Sequence, residues 1–116
     1  MQIQVNTDDH IQGGQSLAQW VREEAGSRLA RFKDHITRLE VFLTDLDSAK
    51  SGVNDKRCRL EARVASRQPV TVTAEADKMG VALINAVDKL ASALDADLGR
   101  VKDRNGRDTI RAAAQE

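Results

Sequence analysis

The sequence of 116 residues has one cysteine, one proline and no tyrosine, and it has no long apolar run. The single thiol, Cys58, can neither close an intrachain disulfide nor supply a cysteine-clustered zinc site, so a reducing compartment is expected. No apolar stretch approaches the roughly 20 residues needed to cross a bilayer. The opening, MQIQVNTDDH, has no basic segment followed by an apolar core. These absences lead to the expectation of a cytoplasmic protein with no membrane partner. Internal repeats and low-complexity tracts are also missing, and the length fits one domain with a single two-layer core.

Signs of catalysis are absent as well. There is no phosphate-binding glycine loop and no nucleophile elbow. The pairs Asp8-Asp9 and Glu23-Glu24 are sequence neighbours, so their side chains diverge rather than converge on one substrate. His10 and His35 lie far apart, near element ends, without a nearby cysteine or a helical histidine partner. The expectation is no enzyme, no small-molecule substrate, no metal and no cofactor.

Net charge is the last absence. Eighteen basic and eighteen acidic side chains cancel, which removes any general attraction to nucleic acid or to an anionic membrane. The cancellation is uneven. Residues 50–67 carry six basic and two acidic groups, and residues 100–116 carry five and three, so positive charge gathers in the middle and at the end.

What the chain does have is clear periodicity. Met1 to Thr7 alternates, with Ile3 and Val5 on one face, and predicts a strand. From Ser16 to about Lys33, Leu17, Val21, Leu29 and Phe32 recur at helical spacing with Trp20 beside them, although Gly26 weakens that helix by roughly 1 kcal/mol relative to alanine. The Gly13-Gly14 pair before it and the stretch Ser48 to Asn54 read as loops. Three runs then alternate with period two: Leu39, Val41 and Leu43; Cys58, Leu60, Ala62 and Val64; Val70, Val72, Ala74 and Ala76. Their opposite faces hold Arg38, Glu40 and Phe42, then Arg57, Arg59, Glu61 and Arg63, then Thr71, Thr73 and Glu75. A sheet with one apolar and one charged face is covered on one side only. Pro69 falls in the tight connection between the second and third runs, where its missing donor does little harm.

A long helix follows, with Asp77 as its expected N-cap and a stripe of Met79, Leu83, Ala86, Val87, Leu90, Leu94, Leu98 and Val101. The fold class is therefore α+β: a two-layer β-α-β-β-β-α sandwich, a four-stranded sheet with both helices on one face. On it Leu60, Val72, Leu83, Leu90 and Leu94 should be buried, Cys58 should be an inert buried thiol, and Trp20 should sit at the core edge rather than stack on a base.

With that order in place, the chain resembles the ribosome hibernation-promoting factor family, also called ribosome-associated translation inhibitors or sigma-factor modulation proteins. MQIQVNT is similar to the family's first strand, and RLARF at residues 28–32 to its basic-x-x-basic helix end. VTVTAEADKM is similar to the passage from last strand to last helix, and INAVDKLASAL to the helix core with its Asp-Lys-Leu. The order and spacing of these pieces carry the resemblance over about residues 1–104. It implies a partner in the small ribosomal subunit, whose rRNA is bound along the mRNA and tRNA channel, and steric inhibition of translation in stationary phase or stress. Arg28, Arg31 and Lys89 match family basic positions; with Lys33, Lys78, Arg100 and Lys102 they form the implied rRNA-binding set. Family members usually carry basic groups after the Asp-Lys-Leu, where this chain has Ser92, Asp95 and Asp97. The aromatic often found near the start of that helix is replaced by Gly80 and Val81. The chain looks like a short form: one domain over residues 1–104 and a flexible tail over 105–116, opened by Asn105-Gly106.

Two basic groups of residues have a plainer reading beside the functional one. Arg57, Arg59 and Arg63 form a secondary basic face that either touches RNA or, paired across strands with Glu40, Glu61 and Glu75, keeps an open sheet soluble. Arg100, Lys102, Arg104, Arg107 and Arg111 either reach phosphates or complement a helix dipole. A second function from another class also stands: a divergent family member acting as a protein-interaction module through its acidic helix or open sheet face. Basic groups gathered into one groove favour RNA, and basic groups each neutralised by a neighbouring carboxylate favour the protein partner.

Overall fold

The computed structural model describes residues 1–8, 14–46 and 55–115, with side chains to residue 98. The chain runs β1 (Gln2–Thr7), α1 (Gly14–Arg28), a 3-10 turn (Ala30–Phe32), β2 (Ile36–Asp45), β3 (Lys56–Val64), β4 (Val70–Ala76) and α2 (Met79–Gln115). The strands form one sheet in the order β1-β2-β3-β4, with β1 parallel to β2 and the other pairs antiparallel. A parallel β1-β2 pair needs a crossover, and α1 supplies it.

Register turns the alternation of each strand into continuous apolar rows. Val5 lies beside Val41, Val41 beside Leu60 and Leu60 beside Val72, so one row crosses all four strands. Ile3, Leu39, Ala62 and Val70 form a second. Both helices cover these rows: Val21, Ala25 and Leu29 from one side, and Ala82, Leu83, Ala86, Val87, Leu90 and Leu94 from α2, join the strand residues in a single core. This is the expected sandwich. Leu60, Leu83, Leu90 and Leu94 are fully buried, whereas Val72 is only half-buried because β4 is an edge strand.

Four local expectations differ from the structure. The first helix ends at Arg28, not near Lys33; beyond it the chain tightens, with Phe32 N–H bonded to the Leu29 carbonyl at 2.9 Å. A 3-10 turn has three residues per turn, so it keeps Leu29 and Phe32 together on the core side. Gly14, read as loop, opens α1 with a left-handed φ of 50° that glycine adopts without strain. Helix α2 starts at Met79, and the Lys78 carbonyl takes the first intrahelical bond from Ala82 N–H at 3.0 Å, so Asp77 precedes the cap position. Ile36, absent from the expected core, is buried because a register shift between Ile36 and Arg38 turns it inward. Helix α2 continues to Gln115. The division at residue 104 rests on the sequence alone, and the expected loop at residues 48–54 lies outside the described residues.

Candidate nucleic-acid interface

The helix layer is built side by side. Trp20 of α1 lies against the first turn of α2, where a Cβ added to Gly80 would stand 3.3 Å from the ring. Further along, Arg31 reaches Asp95. The two contacts make α1 and α2 run in the same direction, and they explain the missing aromatic on α2: Gly80 leaves room for Trp20, which supplies the bulk from the other helix. Trp20 is half-buried against the core, as expected for the core edge.

On this layer the expected rRNA-binding residues occupy separate places. Arg28, at the end of α1, pairs with Glu24 one turn back at 3.2 Å. Arg31 belongs to the 3-10 turn rather than to a helix. Its guanidinium makes two parallel bonds to Asp95, at 2.7 and 2.8 Å, and lies 4.4 Å from the centre of the Phe32 ring. Lys33 is exposed just after that turn and has no partner among the described residues. Lys78 is exposed ahead of α2, about 25 Å along the helix axis from the level of Asp95. Lys89 lies roughly 120° around α2 from Asp95 and donates to the Thr73 carbonyl of edge strand β4 at 2.9 Å. Arg100 and Lys102 lie beyond the described side chains.

The structure therefore joins Arg28, Arg31 and Lys33 at one end of the layer and sets Lys78 and Lys89 apart from them. It also reveals a use for the acidic stretch of α2. Asp95 holds Arg31, and Asp97 holds Arg67 of the β3–β4 turn at 2.6 and 2.9 Å, so the two carboxylates tie α2 to segments on both flanks. These pairs are 64 and 30 residues apart in sequence, and no local pattern signals them.

The open sheet face mixes arginine and glutamate, and most of its arginines are ion-paired. Arg57 pairs across strands with Glu75 at 3.0 Å. Arg59 pairs along its own strand with Glu61 at 3.1 Å and covers the Phe42 ring at 4.4 Å. Arg38 pairs with Glu40 at 3.3 Å and donates to Gln4. One of the two readings of this face pairs Glu40, Glu61 and Glu75 across strands; among the described residues only Glu75 is paired so, because register places Glu40 directly opposite Glu61 and Arg38 opposite Arg63. Like charges face each other there, and Arg38 and Arg59 pair with Glu40 and Glu61 along their own strands instead. Arg63 is exposed and unpaired among the described residues.

Two titratable groups are shifted. Burial pushes the Cys58 thiol up to about 12, which makes it inert as a nucleophile. Burial opposes the charged form of Lys56, but hydrogen bonds to Asp55 and Asp45 at 3.2 Å each, together with the attraction of the two carboxylate charges, outweigh it and raise the group. Among the described residues, no group of three or more histidine, cysteine or acidic side chains is placed to hold a metal ion, and no helix is long and apolar enough to cross a membrane.

Together these features define a two-layer α+β domain with an ion-paired, mixed-charge surface. The chain belongs to the sigma 54 modulation protein / S30EA ribosomal protein family, whose model matches residues 3–105. It shares its fold with the Thermus thermophilus Protein Y N-terminal domain: TM-score 0.62, 20% identity, 83% of this chain and 98% of that one covered. A ribosomal subunit interface protein from Coxiella burnetii is similar at TM-score 0.63 and 17% identity, with 85% and 99% covered. No curated protein matches the sequence.

Proposed function

We propose that this protein is a ribosome-associated factor of the cytoplasm that acts by binding and not by catalysis. It occupies small-subunit rRNA in the mRNA and tRNA channel and inhibits translation sterically in stationary phase or stress. The observation that carries this reading is the family match over residues 3–105, which includes both helices' expected contact positions. A structural relative described as a ribosomal subunit interface protein supports it. Arg28, Arg31, Lys33, Lys78 and Lys89, with Arg100 and Lys102, are the proposed phosphate contacts, and Arg57, Arg59 and Arg63 a secondary one. The pairs on Arg28 and Arg31 do not forbid this, because exposed ion pairs are worth about 1 kcal/mol or less and a phosphate can replace the carboxylate.

Those same pairs, with Arg57 on Glu75 and Arg59 on Glu61, favour a second reading, a protein-interaction module without tight ribosome binding, since these four arginines are neutralised where they stand. Sedimentation of the protein with purified small subunits at rising salt separates the two. Binding through about five phosphates should fall by orders of magnitude between low and high salt, as each contact releases counterion. No co-sedimentation at low salt, or binding indifferent to salt, would favour the protein partner.

A further inference from the structure

Arg31 is held by two features of opposite effect. Its guanidinium lies over the buried Phe32 ring, which fixes the position of the charge. Both carboxylate oxygens of Asp95 occupy its donor fork in the planar two-bond geometry that a phosphate would take. The pair stands at the surface, with 59% and 50% of the two side chains exposed, so a polyanion that reaches Arg31 finds the Asp95 charge already at its fork.

We propose that Asp95 sets the affinity of this surface for nucleic acid by competing with phosphate for the fork of Arg31. This deepens the proposed rRNA binding and rests on it. To use Arg31, an incoming phosphate must displace a bidentate carboxylate and then lie beside it. A cost follows on both counts: the ion pair is lost, and the freed carboxylate repels the phosphate. Asp95 therefore keeps binding weaker and more readily reversed than the number of basic groups implies. Phe32 does not depend on Asp95, so removing the carboxylate leaves the guanidinium in place with its donors open.

The test compares Asp95→Asn with the parent chain in binding purified small ribosomal subunits, using Asp88→Asn and the Arg31→Ala background as controls. Asp88 is exposed on the same helix, two turns earlier and only about 20° around from Asp95, and has no partner among the described residues. Losing it removes the same charge without freeing Arg31. Asp95→Asn should tighten binding about fivefold at low salt, Asp88→Asn clearly less, and Asp95→Asn in the Arg31→Ala background no more than Asp88→Asn. Equal effects of the two asparagines, or tightening that survives loss of Arg31, would reduce the effect to general charge and overturn the proposal. Unchanged or weaker binding by a folded Asp95→Asn, with the parent still binding, would overturn it while leaving ribosome association intact. If neither the parent nor the variant binds, both fall. Circular dichroism melts of each variant establish that the fold is kept.

Discussion

Replacing each of two helix glycines by alanine gives the most direct test of how the helices sit on the sheet. In a helix interior the change stabilises by about 0.8–1 kcal/mol, because alanine has less freedom to lose. Gly26 lies within α1, and a Cβ there would meet only Ile3 Cδ1, at 3.7 Å, an ordinary contact. Gly26→Ala should show nearly the full gain, raising the melting temperature by about 3 to 6 °C. Gly80 is different on two counts. It is the second residue of α2, where less of the propensity is realised, and its Cβ would stand 3.3 Å from Trp20 Cη2. The indole is rigid and half-buried, so it must retreat by a few tenths of an ångström at some cost in packing. The two effects nearly cancel, and Gly80→Ala should fall within about 0.5 kcal/mol of the parent. In a Trp20→Leu background the obstruction is gone and Gly80→Ala should stabilise. Urea denaturation of the parent, the three single variants and the Trp20→Leu/Gly80→Ala double variant measures all of this. A destabilising Gly26→Ala, or a Gly80→Ala effect that ignores Trp20, would refute the helix arrangement described above.

Two further predictions address the surface and the core. Alanine at Arg28, Arg31 and Lys89 together should weaken small-subunit binding by about 2 kcal/mol, roughly thirtyfold, with folding kept because all three are exposed; a smaller loss than from alanine at Arg57, Arg59 and Arg63 would move the main contact to the open face. Cys58 should resist thiol reagents at pH 8 until the chain unfolds. Its folded pKa is raised from 9.0 to about 12, so its contribution to stability is complete below pH 9 and lost as pH rises towards 12. The slope is about 1.4 kcal/mol per pH unit, and a flat alkaline stability profile in urea melts, compared with Cys58→Ala, would contradict it.

The sequence by itself determined the order of elements and which face of each becomes the core. Period-two and helical spacings are local consequences of backbone geometry, so Leu39 to Leu43, Cys58 to Val64 and the α2 stripe were legible without knowledge of what each packs against. Ile36 was not. Its position in the alternation assigns it to the open face, and only pairing with Val64 past a shifted register turns it inward. The same limit applied to the candidate interface. Basic residues and their spacing were plain, but whether a guanidinium is open or occupied depends on a carboxylate brought from elsewhere in the chain. Arg31 and Asp95 meet only because α1 and α2 pack side by side in the same direction on one sheet face, and the Arg67–Asp97 tie needs the β3–β4 turn to reach α2. Spacing along the chain is set by local sterics, whereas ion pairing between distant residues is set by the packing of whole elements, and only the tertiary structure decides it.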